Sequence, residues 1–265
     1  MLVKLLGYEF YKKWKLSINI LGGFIILQAL LLIITRIFLG KDATKMFVEI
    51  GNNGQNGSFT LGIITLLYFG LATGVFFWPI FENVYRFEKD LSGKQAVLEL
   101  MIPIVSWKKI LAKLIIFVFS TVMLQTIAAF SIMAYILVNS NFNKEIVDPI
   151  LSAAKSIIAS PAKSSYLALT ALLVLASVYI FVMFCIAFSK SISHKNRIAV
   201  PIGIGIFIAC IVIIIVLTIQ IEKFPIAEFN LYGTKHSLSE LIFNIICFVL
   251  PFLGASYLME KRIEN

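Results

Sequence analysis

Six long runs of apolar residues alternate with shorter polar segments along the 265-residue chain. The hydrocarbon core of a bilayer is about 30 Å thick, and a helix needs about 20 apolar residues to cross it. The runs have this length, which predicts an all-α integral membrane protein with six transmembrane helices in a single domain over residues 1–265. The predicted spans are 16–38, 61–81, 114–138, 166–188, 198–220 and 241–258.

The segment 1–15 has a different pattern from the spans. Apolar residues such as Leu6, Phe10 and Trp14 recur near helical spacing, and lysines lie between them. A basic amphipathic helix of this kind lies in the headgroup plane of a membrane. We therefore predict an interfacial helix over 1–15. The alternative is a charged flank of the first span.

Two of the polar connections carry further signals. In the connection 139–165, Asp148 and Pro149 form a helix-start signal, and Ser160-Pro161 ends the apolar stripe that follows. This pattern predicts a short helix. The connection 222–240 contains several apolar residues, and the sequence leaves open whether it enters the membrane or covers an exit.

The connection 82–113 between the second and third spans carries the largest number of local signals. Ser92 and Gln95 have the spacing of a capping box, which predicts that a short helix begins there. Pro103 disfavours helical geometry at the residue before it, so that helix is predicted to end at Ile102. Ser106 is then predicted to begin a second helix that leads into the third span.

Composition supports a membrane protein and excludes several other classes. The chain is 60% hydrophobic and 14% charged, whereas soluble domains are about half apolar and a quarter charged. The net charge is +9, but the sequence contains no soluble basic domain that could bind nucleic acid. We therefore predict no nucleic-acid partner. The three cysteines all lie in apolar runs, which disfavours a disulfide framework.

The distribution of Lys and Arg predicts the orientation of the chain. The N-terminal segment, the connection 82–113, the connection 189–197 and the C-terminal tail hold 15 of the 23 cations. The acidic residues divide evenly between the two sides, so the asymmetry belongs to Lys and Arg, as the positive-inside rule requires. Both termini and the connection 82–113 are therefore predicted to be cytoplasmic, and 139–165 to be external.

Catalytic motifs are missing from the sequence. It contains no P-loop, no H-E-x-x-H and no G-x-S-x-G, so we predict that the chain is not an enzyme and binds no cofactor or metal. Arg36 is the only charged residue in the predicted spans. Its preferred interpretation is a side chain that extends to the outer interface, and contact with an anionic substrate or lipid is the alternative.

A few polar or small residues in the spans are candidates for function. A polar side chain in lipid is costly unless it faces protein or a polar cavity. Such residues serve either as contacts between helices or as a substrate path, and the candidates are Gln28, Thr121, Gln125 and Asn244. Gly70 and Gly74 form a G-x-x-x-G pair, which predicts close packing of the second span against another helix.

In layout the whole chain resembles the permease subunit of an ABC-2 type transporter, of the small bacterial six-span exporter kind. The resemblance is most specific over Tyr85–Lys113, in YRFEKDLSGKQAVLELMIPIVSWKKILAK. It implies a cytoplasmic coupling helix between spans two and three that docks on an ATPase. The implied coupling residues are Ser92, Gly93, Lys94, Gln95, Val97, Leu98, Glu99, Leu100, Met101, Ile102 and Pro103.

The resemblance also implies partners and a location. Two ABC ATPase subunits would hold ATP and Mg²⁺, and a second permease copy or a homologous permease would complete the transporter in the bacterial plasma membrane, in contact with lipid. The cargo implied is amphipathic: a peptide antibiotic, a drug or a lipid-like molecule. Two other classes remain open at this point, an ion-coupled secondary transporter and a membrane scaffold or sensor that moves no cargo.

Overall fold

The structure, a computed structural model, describes residues 2–39, 59–92, 104–140, 144–193, 196–223, 228–231 and 234–263, and these residues are predominantly helical. The elements in chain order are α1 (Leu2–Leu39), α2 (Phe59–Asp90), α3 (Ser106–Asn139), α4 (Lys144–Ala159), α5 (Pro161–Ile192), α6 (Asn196–Lys223), β1 (Glu228–Leu231), β2 (Thr234–Ser237) and α7 (Leu238–Leu258). A π-helical turn, Met259–Ile263, follows α7.

Six of the helices, α1, α2, α3, α5, α6 and α7, are long and apolar enough to cross a membrane, as predicted. The segment Ile198–Ile221 of α6 shows the physical reason most clearly. Its most apolar window has a mean hydropathy of 3.2, and none of that window is buried inside the chain. A helix that is apolar on every exposed face needs lipid around it. The chain is accordingly a multi-pass membrane protein by length and composition.

Two of the helices extend well beyond the predicted spans. α2 continues past Pro79 to Asp90, and α3 begins at Ser106, where the sequence predicts a helix start. Proline removes one backbone hydrogen bond and kinks a helix without necessarily ending it. Both flanks of the predicted connection 82–113 are therefore helical in the structure.

The segment 1–15 is not a separate helix. It forms one continuous helix with the first span, because α1 runs unbroken from Leu2 to Leu39. Lys13, which was expected on a headgroup-facing surface, is only 5% exposed and donates a hydrogen bond to Ser120 Oγ at 2.5 Å. This lysine therefore bonds to a hydroxyl of α3 inside the protein.

The connections described also differ in detail from the prediction. A helix does occupy 139–165, but α4 begins at Lys144 and includes Pro149 in its interior, so Asp148 is not its N-cap. The connection 222–240 contains an antiparallel hairpin that was not predicted, with Glu228 paired to Ser237 and Leu231 to Thr234. The fold is thus helical except for this short ribbon in the residues described.

The chain forms two compact units. The first unit comprises Met1–Gly7, Phe81–Val118 and Tyr166–Asn265, and the second comprises Tyr8–Ile80 and Phe119–Ser165. In the first unit, Phe117 of α3 stacks on Tyr179 of α5 with ring centroids 4.2 Å apart. Other fully buried apolar residues of that core are Ile110, Ala112, Ile180, Met183 and Ala187.

The second unit has its own core, formed by α1, α2 and α3. Phe24, Ala72, Val75 and Leu124 are buried together, and Trp78 packs against them. Farther along the same helices, Tyr68 and Tyr135 stack with centroids 3.9 Å apart. These contacts fix the three helices against one another and position the polar groups described next.

Candidate functional site

Two ion pairs, each with a buried lysine, join the ends of three helices in the first unit. Asp90 is the last residue of α2, and its carboxylate accepts a hydrogen bond from Lys113 of α3. Glu88 lies two residues earlier on α2, with Oε1 3.6 Å from Nζ of Lys190 on α5. The Lys113 and Lys190 side chains are 8% and 2% exposed, so each cation is shielded from solvent. We call Glu88, Asp90, Lys113 and Lys190 the ion-pair cluster.

A third ion pair lies on the same stretch of α2. Arg86 places its Nε and one terminal nitrogen 3.0 and 2.9 Å from the same oxygen of Glu82, one turn away. The Glu82 carboxylate is 2% exposed, so it too is desolvated. Buried charges of this kind add little net stability as pairs, but removing one partner leaves the other uncompensated. The Arg86–Glu82 pair lies within α2, and the pairs Asp90–Lys113 and Glu88–Lys190 hold the ends of different helices together.

The ion-pair cluster flanks the predicted coupling residues. The Ser92 hydroxyl donates to the backbone carbonyl of Glu88, and its N–H donates to the carbonyl of Lys89 at 3.2 Å. Ser92 thus closes the C-terminal end of α2, whereas the sequence predicted it as the N-cap of the next helix. The coupling residues Gly93–Pro103 themselves lie outside the residues that the structure describes.

A pocket of about 290 Å³ opens next to the cluster in the first unit. α2, α5 and α6 line it with mainly apolar side chains, including Val182, Ile186 and Phe207. Glu88, Ser189 and Lys190 also belong to the lining and supply its polar part. The pocket is amphipathic, and its charged groups already pair with each other.

The second unit contains a closed ring of hydrogen bonds inside the helices. Gln28 Nε2 donates to the backbone carbonyl of Tyr68 at 3.2 Å, and Ser131 Oγ donates to Gln28 Oε1 at 2.5 Å. The Tyr68 hydroxyl lies 2.7 Å from Ser131 Oγ and donates to the Ser131 backbone carbonyl at 2.9 Å. Each of the three side chains thus has a partner on another helix. A pocket of about 310 Å³, otherwise apolar in its lining, lies against all three.

The polar contacts continue toward the far ends of α1 and α3. Thr65 Oγ1 lies 3.2 Å from the Tyr135 hydroxyl. Arg36 donates to the backbone carbonyl of Val138 at 2.6 Å, one residue before α3 ends. A cation bonded to the last carbonyls of a helix is favoured by its dipole. Arg36 therefore has a partner within the protein, which neither interpretation from the sequence foresaw.

The residues predicted as a substrate path fall into different environments. Gln28, Thr121 and Gln125 all belong to the second unit, whereas Asn244 belongs to the first and is exposed on α7. Gln28 is bonded on both ends of its amide, as a structural contact requires. Thr121 Oγ1 and Gln125 Nε2 are buried without a hydrogen-bond partner in the described part of the chain.

The glycine pair predicted to pack does not do so within the described chain. A Cβ added at Gly70 or Gly74 would meet no atom within 4 Å. The close approach occurs at Gly254 of α7, where a Cβ would lie 2.7 Å from the Phe184 ring of α5. A lone glycine beside a phenylalanine has no spacing signal, so sequence reasoning missed this contact.

Sequence reasoning also missed the ion-pair cluster. Asp90 and Lys113 lie on opposite flanks of the predicted coupling residues. Asp90 is three residues before Gly93, and Lys113 is ten residues after Pro103. Opposite charges on the two flanks of a connection are a usable signal for pairing. Lys190 gives no such signal, because it lies on α5, far away in sequence.

Comparisons with known proteins return nothing. The chain matches no protein-family model, no curated protein and no solved structure.

Proposed function

We propose that this protein is the membrane-spanning permease subunit of an ATP-driven ABC exporter of the ABC-2 type. It moves an amphipathic cargo outward with energy from two separate ATPase subunits. Both termini and the connection between α2 and α3 face the cytoplasm, in the bacterial plasma membrane. A second permease, identical or homologous, completes the transporter. The chain itself contributes no catalytic group, and ATP with Mg²⁺ belongs to the partner.

The observation that carries the proposal is the buried Asp90–Lys113 pair. It ties the end of α2 to α3 on the two sides of residues 93–103, the proposed coupling segment. A push on that segment would reach both helices together, since neither end is free to move alone. A loosely tethered loop would absorb the same push, so this arrangement favours force transmission.

The remaining support comes from the sequence. Six helices are long and apolar enough to cross a membrane. Because the sequence contains no P-loop, ATP-driven transport of a cargo needs a separate ATPase subunit. The excess of Lys and Arg on the side of the α2–α3 connection sets the cytoplasmic orientation.

A test starts from membranes of the source cells. The chain is purified in mild detergent, and the proteins that copurify are identified. We expect an ABC ATPase with a P-loop, encoded next to this chain, and cargo-dependent ATP hydrolysis by the complex. If no ATPase copurifies and the neighbouring genes encode none, the proposal is wrong.

A variant addresses the coupling residues directly. Leu98→Asp together with Met101→Asp places two charges on the proposed docking face. We expect the chain to reach the membrane while ATP hydrolysis no longer drives transport. The matched control, Ser152→Asp together with Ser156→Asp, adds the same two charges at exposed positions of α4. Transport at the control level by the coupling variant would contradict the role of this segment.

One observation favours a second candidate, an ion-coupled carrier. Carriers of this class keep ionisable residues at membrane depth, and all four residues of the ion-pair cluster lie within helices that are long and apolar enough to cross a membrane. Such a carrier would transport without an ATPase and would stop when an ionophore collapses the ion gradient. Transport by the purified chain alone in vesicles with an imposed gradient separates the two functions.

A further inference from the structure

Besides Asn139 Oδ1 at the end of α3, three unpartnered polar atoms lie buried in the second unit. They are Trp78 Nε1 on α2, and Thr121 Oγ1 and Gln125 Nε2 on α3, and none has a hydrogen-bond partner in the described residues. Thr121 as a whole is 1% exposed. A polar group buried without a partner in a membrane protein is costly, because it has given up its hydrogen bonds to water and gained none in exchange. We call these three residues the unpartnered trio.

The behaviour of other threonines shows that Thr121 is exceptional. A threonine inside a helix normally donates to a carbonyl of the preceding turn. Threonines that do so here are Thr35, Thr73, Thr126 and Thr218, at 2.7–2.8 Å. The Thr121 hydroxyl makes no such bond, although α3 offers it the same carbonyls. Its hydrogen-bonding capacity is therefore unused at a buried position.

The two glutamines of α1 and α3 give the same contrast. The Gln28 amide is held at both ends, by Tyr68 and Ser131. The Gln125 amide nitrogen is buried, and no group of the described chain accepts from it. Thr121 and Gln125 are four residues apart on α3, so they lie on one face of that helix.

Helix geometry brings Trp78 to the level of Thr121. α2 and α3 are antiparallel, since Thr65 contacts Tyr135 and Tyr68 contacts Ser131. From the Tyr68–Ser131 contact, Trp78 lies ten residues along α2 and Thr121 ten residues back along α3. Both distances are about 15 Å at 1.5 Å per residue. Trp78 also packs on the core that contains Leu124, which lies between Thr121 and Gln125 in sequence.

We propose that Trp78, Thr121 and Gln125 form a binding site for the carbonyl oxygens of an uncharged, largely apolar molecule. The indole and amide nitrogens can only donate, and the hydroxyl can donate or accept. The natural ligand atom is therefore an acceptor oxygen. The trio carries no charge to compensate an ion, and Trp78 packs on the apolar core of Phe24, Val75 and Leu124.

Two sources supply this chemistry: the amide carbonyls of an apolar peptide and the ester carbonyls of a lipid. As a cargo site, the trio rests on the exporter function proposed above. As a binding site, it rests on the three unpartnered groups alone, and its test needs no ATPase. A failed binding test therefore leaves the exporter function untouched, and failure to find an ATPase leaves this site untouched.

The test uses the fluorescence of Trp78 in the full-length chain. Trp14→Phe and Trp107→Phe leave Trp78 as the only tryptophan of the three. The protein is held in dodecyl maltoside, which has no carbonyl group. The probes are the capped tripeptide acetyl-Leu-Leu-Leu-amide and dioctanoylglycerol, and dodecane is the probe without an acceptor. We expect a saturable change in Trp78 emission with the peptide or the diacylglycerol, and none with dodecane.

Variants then assign the response to the trio. Thr121→Val and Gln125→Leu each remove a donor, and each is expected to weaken binding about tenfold, as the loss of one hydrogen bond to a desolvated group does. Thr126→Val is the control, because Thr126 is exposed and donates to its own helix at 2.7 Å. The inference is overturned if neither probe gives a saturable change, if dodecane acts equally, or if the two variants bind like the control.

Discussion

The carboxylate of Asp90 and the ammonium of Lys113 form a buried ion pair across the two flanks of the α2–α3 connection. Asp90 ends α2, and Lys113 lies two turns into α3. The pair holds in place the two helices that a coupling segment would have to move. The pair constrains the two helices mechanically. It adds little net stability, because the cost of desolvating the charges offsets most of their attraction.

Breaking this pair is expected to destabilise the protein. Asp90→Asn leaves Lys113 buried without a counter-charge, which typically costs about 3–5 kcal/mol. The double variant Asp90→Leu with Lys113→Met removes both charges and is expected to recover most of that loss. Thermal unfolding in detergent measures both, with Lys89→Gln at an exposed position as the control. Equal unfolding temperatures for Asp90→Asn and the control would mean that the pair is dispensable.

The Gly254–Phe184 contact gives a second prediction. Valine at Gly254 would press its side chain on the Phe184 ring, because even a Cβ would lie 2.7 Å away. We expect a loss of about 1–3 kcal/mol, the usual cost of overpacking. Valine at Gly74 is the matched control, since nothing lies within 4 Å of its added Cβ. Phe184→Leu in the Gly254→Val background should restore stability; a Gly254→Val protein as stable as the Gly74→Val protein would rule out this close packing.

The two glutamines give a third prediction, again as a matched pair. Gln28→Leu removes the hydrogen bonds of Gln28 to Ser131 Oγ and to the Tyr68 carbonyl and is expected to cost about 1–3 kcal/mol. Gln125→Leu removes a group that has no partner in the described residues, so stability is expected to stay equal or rise. Comparing unfolding temperatures of the two variants in the same detergent tests this. The reverse order would show that Gln125 is a structural contact.

Arg36 gives a fourth prediction. Its bond to the Val138 carbonyl at the end of α3 is charge-assisted, and Arg36→Gln is expected to cost about 1–2 kcal/mol. Lys155→Gln on exposed α4 changes the net charge equally without touching α3. Chemical unfolding of both variants compares them. If they are equally stable, Arg36 contributes only through the membrane interface.

The sequence by itself determined the membrane class and the number of spans, because a run of about 20 apolar residues has few other stable environments. It also located the start of α3 at Ser106 and the existence of α4, since caps and prolines act locally. Close packing at Gly70 and Gly74 stays a prediction, because a spacing motif does not say which helix it meets, and no atom of the described chain lies within 4 Å of an added Cβ there.

Only the tertiary structure decided which polar residues have partners. Gln28 and Gln125 look alike as single polar residues in apolar runs, yet one is bonded at both ends of its amide and the other has an unpartnered amide nitrogen in the described chain. The same holds for Asp90 with Lys113 and for Glu88 with Lys190, whose pairing depends on helices that meet in space. Hydrogen bonds and ion pairs depend on distances of a few ångströms between residues far apart in sequence, and apolar periodicity carries no such information.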